Sequence, residues 1–388
     1  MKVGVPKEIR PSERRVALVP ESVSKLVDAG MEVVVQAGAG AFAHFADEAY
    51  QNAGATVAAN ASAVYDAADI IVKVQRPTFG GEDEPPESSM LRSGVVLIGF
   101  LQPLYHPAVA KGLAEMGVTG FSMDAVPRIA RAQSMDALSS MSSIAGYKAA
   151  IMAAEALGIY LPMMVTAAGT TPPAKGLVLG AGVAGLQAIA TSRRLGAVVS
   201  AFDVRPAVKE QVESLGATFI QEALHTEGME DEGGYAKQLN QEAQQLEQDL
   251  IHTHARTMDF IITTAAIPGR AAPILITKDM VRDMRPGSVI VDLAAETGGN
   301  CELTKPGETV VANDVTIIGP LDVPSSVPVV SSQMYSRNML TLLQHLVRDG
   351  ELTLDFEDAI TRDCCITHDG KVLHGPTLEL LGEGGGKA

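Results

Sequence analysis

Lys175-Gly176-Leu177-Val178-Leu179-Gly180-Ala181-Gly182-Val183-Ala184-Gly185-Leu186-Gln187-Ala188-Ile189-Ala190 decides how this chain folds. The apolar run 176–179 reads as a strand buried in a parallel sheet, and a helical pattern from 183 to 195 follows with room only for a tight turn. Three glycines occupy that turn. Gly180 lets the chain reverse, Gly182 lets the backbone approach a pyrophosphate, and Gly185 lets helix and strand touch. The helix opens at Val183 with unpaired N–H groups and a positive dipole end for the phosphates.

The next apolar run, 197–202, ends at Asp203, about where an acidic residue hydrogen-bonds both ribose hydroxyls of an adenosine. A carboxylate there repels a 2′-phosphate, so NAD(H) is the expected cofactor and NADP(H) is disfavoured at this site. Arg205 works the other way, because an Arg beside this position accepts a 2′-phosphate.

The 388 residues suffice for two domains, and an apolar fraction of 46% with 4% aromatics and no Trp calls for cores of Ala, Val, Leu, Ile and Met. A net charge of -16 disfavours nucleic acid and anionic lipid as partners. Cys301, Cys364 and Cys365 match no metal spacing, so no metal is expected and a reducing compartment is the simplest setting. The opening residues lack the apolar region of a signal peptide, and the stretch 144–170 is interrupted by Lys148, Glu155 and Pro162, so no bilayer span is expected.

Along the chain, strands are predicted at 2–5, 32–36, 55–58, 69–74, 95–100 and 118–123, with helices at 21–28, 47–53 and 107–116. The segment 77–89, rich in Pro, Gly and acids, reads as a surface loop. A helix at 140–157 connects to a second set of strands at 176–179, 197–202, 218–221, 259–263, 288–291, 310–311 and 316–318. After Pro324 and Pro328 a helix at 336–347 returns to the first domain, and the tail 382–388 is glycine-rich. The predicted architecture is α/β: two doubly wound Rossmann-like domains with a cleft between them. The first is discontinuous, 1–139 plus 325–388, and the NAD(H)-binding domain is 140–324.

Three other stretches carry polar chemistry. The loop 229–235, acidic and glycine-hinged, places Gly234 and Tyr235 either in a closing lid or in a surface loop. The run 263–269 follows a strand and so lies at the carboxyl edge of the sheet. Between the domains, 127–140 crowds Arg, Gln, Asp and Ser together without helical amphipathy, and that set can satisfy the donors and acceptor of a carboxamide; a polar inter-domain loop is the alternative.

The strings RAQSMDALSS, GAGVAGLQAIATSRRLGA, the FDVRP that follows, GGYAK and TTAAIPGRAAPILIT closely resemble the NAD(H)-binding component of proton-translocating NAD(P) transhydrogenases, from KVGVPKEIRPSERRVALVPE at the start to near residue 380. The resemblance implies hydride transfer between NAD(H) on this chain and NADP(H) on a partner subunit, with a membrane proton-channel component completing the enzyme. It implies a homodimer held at the cytoplasmic face of the inner membrane through those partners. Arg128, Asp136 and Ser139 would position the nicotinamide carboxamide and ribose, with Ile129, Ser134 and Met135 in the same cofactor-binding loop, and Gln133 would reach toward the partner's NADP(H). Val183, Asp203, Val204 and Arg205 would line the adenosine, Gly234 and Tyr235 would belong to the closing loop, and Ala265 and Ala266 would lie near the ring. The catalytic work implied for Arg128, Gln133, Asp136 and Ser139 is orientation, with no nucleophile or base among them.

The wider superfamily includes alanine dehydrogenase, which shares the KEI-x-x-x-E-x-RVAL opening and the VKV motif at 72–74. That likeness would place Arg15 and Lys73 where the enzyme holds a substrate carboxylate. It departs at Gln102, which stands where alanine dehydrogenases carry a His after an aromatic-Leu pair. An amide cannot move the protons that oxidative deamination requires, whereas hydride exchange between nicotinamides needs no acid or base. His106, His225 and His252 lack a recognisable partner and read as surface or packing residues.

Overall fold

The computed structural model describes residues 1–80, 86–220, 241–348 and 350–382, divided into two compact units, Met1–Met141 with Ser325–Ala388, and Ser142–Pro324. In the first unit β1 (Lys2–Val5), β2 (Glu32–Gln36), β3 (Thr56–Ala58), β4 (Ile70–Gln75), β5 (Val96–Phe100) and β6 (Thr119–Ser122) pair in parallel in the order β3-β2-β1-β4-β5-β6. Every residue of β4 and β5 is buried, which is why these runs are continuously apolar where an exposed sheet would alternate. The crossovers are α1 (Pro20–Asp28), α2 (Asp47–Asn52), α3 (Ala61–Ala67) and α4 (Pro107–Glu115).

Helix α5 (Ala137–Ala156) starts three residues before the predicted 140, because Asp136 caps it. The Asp136 carboxylate accepts from the Ser139 N–H at 2.8 Å and the Ser139 hydroxyl at 2.6 Å. A hairpin, β7 (Met164–Thr166) and β8 (Gly169–Thr171), then stands where sequence periodicity predicts only loop.

The second unit is built on β9 (Lys175–Leu179), α6 (Val183–Arg194), β10 (Val198–Phe202), α7 (Lys209–Ser214), β11 (Thr218–Phe219), α8 (Gln241–Ala255), β12 (Phe260–Thr263), α9 (Lys278–Asp283), β13 (Val289–Asp292), β14 (Thr309–Ala312) and β15 (Val315–Ile318). The sheet order is β11-β10-β9-β12-β13-β15-β14, with β14 antiparallel to its neighbour. The order reverses at β9, between β10 and β12, so the loop after β9 lies at the switch point where open α/β sheets bind ligands. Alternate residues of β9 feed the two cores: Val178 packs with Ile189 and Val199 on one face, Leu177 and Leu179 with Ile251 and Ile261 on the other.

The chain then returns to the first unit. Helix α10 (Pro328–Leu346) begins eight residues before the predicted 336, since Pro328 fits the first helical turn, where its missing N–H has no partner to lose. Ser325, Ser332 and Ser336 of the returning segment accept from the backbone N–H groups of Arg14, Val16 and Val19 at 2.7, 3.1 and 2.9 Å, so an irregular loop is satisfied from more than 300 residues away. After β16 (Val347–Arg348), β17 (Glu351–Leu352) and α11 (Ala359–Cys364), strand β18 (Cys365–His368) joins β6 antiparallel and β19 (Lys371–Val372) closes that edge; α12 (Gly375–Leu380) ends the described chain. These two sheet strands escaped the sequence reading. Among the described residues no helix is long and apolar enough to cross a membrane.

Candidate functional site

The glycine turn behaves as its chemistry requires. Gly180 sits at φ +94°, a conformation that side chains with a Cβ rarely adopt, and a Cβ at Gly185 would lie 1.9 Å from the Gly180 carbonyl oxygen. At Gly182, by contrast, an added Cβ would meet nothing within 4 Å among the described residues. That open surface at the N-terminus of α6, with Val183 40% exposed behind it, fits a pyrophosphate on the N–H groups of the first helical turn.

Asp203 ties this turn to β10. Its Oδ2 accepts from the Ala181 N–H at 2.7 Å and from Arg205 Nη2 at 2.8 Å, while Oδ1 accepts from the Arg205 N–H and Nε, both at 2.9 Å. Four donors fill the acceptor positions of a carboxylate. A ribose hydroxyl therefore reaches Asp203 only by displacing the Arg205 guanidinium, a competition that sequence spacing does not reveal. Val204 packs beside them against the apolar cluster under α8.

Across the switch point, Thr264 Oγ1 donates to the Gly180 carbonyl at 3.2 Å, which sets Ala265 next to the turn, with Ala266 exposed beyond it. Asn300 holds this loop: its Oδ1 accepts from the Ala265 N–H at 3.0 Å and its Nδ2 donates to the Ala265 carbonyl at 2.9 Å. The buried Asp292 in turn accepts from the Asn300 N–H at 2.8 Å and from Thr263 Oγ1 at 2.8 Å. Asn300 and Asp292 were missed in the sequence, because nothing local marks a buried polar bracket.

Glu247 on α8 was missed as well. It is 6% exposed, one turn before Leu250 and Ile251 on the face that packs toward Phe202. Burial, and then the charge of Asp203, push its carboxyl up to about 7. A carboxyl raised in the folded state keeps its proton after the unfolded chain has lost it, so stability falls as pH rises from about 4.5 to about 7 and is level above. Glu247→Gln is expected to remove that fall: equal to the parent in urea unfolding at pH 4.5, and about 2–3 kcal/mol more stable at pH 8.

In the first unit, the loop 128–136 contains the short turn Ala130–Met135, whose Ala132 and Met135 are buried at 0% and 4% exposure. Met135 is thus an anchor of the loop. Arg128, Ile129, Gln133 and Ser134 are exposed, and Asp136 and Ser139 are half-buried and bonded to one another as the cap of α5. The structure brings Arg128 to Ser139 together in the first unit, and Gly180, Gly182, Val183, Gly185, Asp203, Val204, Arg205, Ala265 and Ala266 together in the second. Gly234, Tyr235 and His225 lie outside the described residues.

The residues that would hold an amino-acid carboxylate are differently employed. Lys73 is 1% exposed, with its ammonium 2.5 Å from Glu87 and 3.2 Å from Glu8. Burial works to lower its pKa, but Glu8, Tyr65 and Glu87 outweigh it and hold the ammonium above the usual lysine range. Glu87 and Thr78 are each 3% exposed, so the segment 77–89 is in part core, where a surface loop was predicted. Arg15 is gripped by Glu13 at 2.7 and 2.5 Å. Burial pushes the Glu13 carboxyl up, but hydrogen bonds and charge from Arg15, with Gln75, hold it below the ordinary range. Gln102, at the end of β5, adopts φ +51° and its Oε1 accepts from Arg76 Nη1 at 2.7 Å. His106 nearby is held below the usual histidine range by burial and by Arg76 and Arg10. Among the described residues, no group of three or more His, Cys, Asp or Glu side chains is placed to hold a metal ion.

A doubly wound sheet with a glycine turn at its switch point and an acidic residue closing the next strand defines a dinucleotide-binding protein of the dehydrogenase type. Family models agree: the N-terminal domain of alanine dehydrogenase/PNT matches residues 4–145 and the C-terminal domain matches residues 149–375. The first of the separate chains that make up NAD(P) transhydrogenase subunit alpha in Rhodospirillum rubrum is 48% identical over 96% of this chain and 98% of its own length. The alanine dehydrogenase of Halomonas elongata is 32% identical over 98% and 97%. The crystal structure of transhydrogenase from Sinorhizobium meliloti superposes with a TM-score of 0.83 at 44% identity, covering 96% of this chain and 99% of that one. The chain belongs to the alanine dehydrogenase/PNT family, and within it stands nearer to the transhydrogenase alpha subunits than to the alanine dehydrogenases.

Proposed function

We propose that this chain binds NAD(H) in its second unit and exchanges hydride with NADP(H) held by a partner subunit of a proton-translocating transhydrogenase. The observation that carries the reading is Gln102, whose amide oxygen is occupied by Arg76 at the place where an amino-acid dehydrogenase needs a proton carrier. The burial of Lys73 against Glu8 and Glu87 supports it.

When bound, the nicotinamide supplies the hydride chemistry. The protein supplies orientation. Gly180, Gly182 and the first N–H groups of α6 hold the pyrophosphate, and Asp203 takes the adenosine ribose as Arg205 turns away. Arg128, Asp136 and Ser139 hold the carboxamide end, with Ser139 already fixed by Asp136. Gln133, exposed, is directed to the partner's nucleotide. A homodimer, and a position at the cytoplasmic face of the membrane through an NADP(H)-binding and a proton-channel component, complete the proposal.

The test is reconstitution. Alone, the chain should bind NADH and leave pyruvate with ammonia unreduced; mixed with an NADP(H)-binding component, it should pass hydride at a rate at least about 100-fold above background. NADH oxidation by pyruvate and ammonia without a partner would establish an amino-acid dehydrogenase and end this reading.

A further inference from the structure

We infer that Asn338 and Asp358, both from the returning C-terminal segment, are positioning residues that brace the loop 128–136 so that Arg128 and Gln133 are held in one geometry; the inference rests on the role proposed above for that loop. The loop cannot hold itself. Its backbone makes only a short 3-10 turn, with bonds from the Ile129, Ala132 and Asp136 N–H groups at 2.9, 3.0 and 3.3 Å, and such turns are weakly hydrogen-bonded. Ala132 and Met135 pin it from below, but apolar contacts are not directional.

Two polar ties supply the direction. Asn338 on α10 is 7% exposed, and its Nδ2 donates to the Ser134 carbonyl at 2.8 Å. Its Oδ1 is buried and finds no hydrogen-bond partner among the described residues. An orphaned amide oxygen destabilises the fold where Leu, of similar volume, would not, so retention of the amide is accounted for by its hold on Ser134. Asp358 is itself immobilised as the cap of α11, its Oδ1 accepting from the Ile360 N–H at 2.8 Å. Its other oxygen pairs with Arg131 Nη1 at 2.5 Å, and that hydrogen bond holds the carboxyl below its usual range, so the tie stays charged. His345 Nε2 stands 3.6 Å from Oδ1 of the same carboxylate. Arg131 and Ser134 lie on either side of Gln133 in the chain, and the two ties therefore bracket the residue proposed to face the partner.

The experiment uses the whole chain with Asn338→Leu, and separately Asp358→Asn, which keeps a capping acceptor while removing the charge. Four quantities are read: NADH affinity from nicotinamide fluorescence, single-turnover hydride transfer with the NADP(H)-binding component, melting temperature, and amide hydrogen exchange of residues 129–136. A brace predicts transfer slowed about tenfold or more in each variant, NADH affinity within about threefold of the parent, an unaltered melting temperature, and faster exchange in the loop. Unchanged transfer in both variants would overturn it, and so would a loss of transfer that tracks a fall in melting temperature or in NADH affinity. A parent chain that binds NADH and passes no hydride would overturn the transhydrogenase reading instead, and unchanged loop exchange in the variants would then refute the brace on its own.

Discussion

Gly182→Ala is expected to weaken NADH binding about 100-fold, roughly 2.7 kcal/mol, while leaving the melting temperature unchanged. The reason is that the position is open: φ is -75°, which any L-residue adopts, and an added methyl meets no described atom within 4 Å. The conflict it creates is with a ligand lying on the start of α6. Gly185→Ala provides the contrast. Its methyl would stand 1.9 Å from the Gly180 carbonyl oxygen and 2.8 Å from the carbonyl carbon, so β9 and α6 must separate. Overpacking of that kind costs about 1–3 kcal/mol or more, a fall in melting temperature of order 5–10 °C, and NADH binding is lost with the turn. Fluorescence titration with thermal unfolding on both variants distinguishes the two effects. A Gly182→Ala protein that bound NADH as tightly as the parent would show that the pyrophosphate does not lie there.

Asp203→Ala is expected to change which nucleotide the chain prefers. In the parent, the guanidinium of Arg205 spends its Nε and Nη2 donors on Asp203, at 2.9 and 2.8 Å, with 14% of its side chain exposed. Removing the carboxylate takes away the ribose acceptor and the repulsion of a 2′-phosphate, and leaves Arg205 available as a phosphate ligand. NADH affinity should fall about 10–100-fold and the NADPH-to-NADH affinity ratio should rise by about 100-fold or more. The Ala181 N–H also loses its acceptor, so a modest drop in stability is expected alongside. A variant that lost NADH binding with no gain toward NADPH would show that Arg205 does not reach the 2′ position.

The features of this protein that were legible in its residues are those written in local periodicity. The run 176–179, the three glycines and Asp203 announce a strand, a turn, a helix and an acidic strand end within about 30 residues, and each stands there in the fold. Strand boundaries such as Lys2–Val5 and Glu32–Gln36 follow from the same signal, because a strand buried on both faces must be apolar throughout. Helix α10 illustrates the limit. Pro328 suggested a break, yet in the first turn a proline costs nothing, and only the packing of Ser332 and Ser336 on the 16–19 loop reveals why the helix starts there.

The amino-acid sequence by itself determined the α/β class, the nucleotide turn and the family, since these rest on short-range patterns of apolar, glycine and acidic residues. Tertiary structure alone decided that Lys73 is consumed by Glu8 and Glu87, that Arg205 covers Asp203, that Glu247 shares its surroundings, and that Asn338 grips a loop 204 positions away. The physical reason is that a charge or an amide acquires its role from the partner it meets on burial, and partners distant in the chain leave no periodic trace in it.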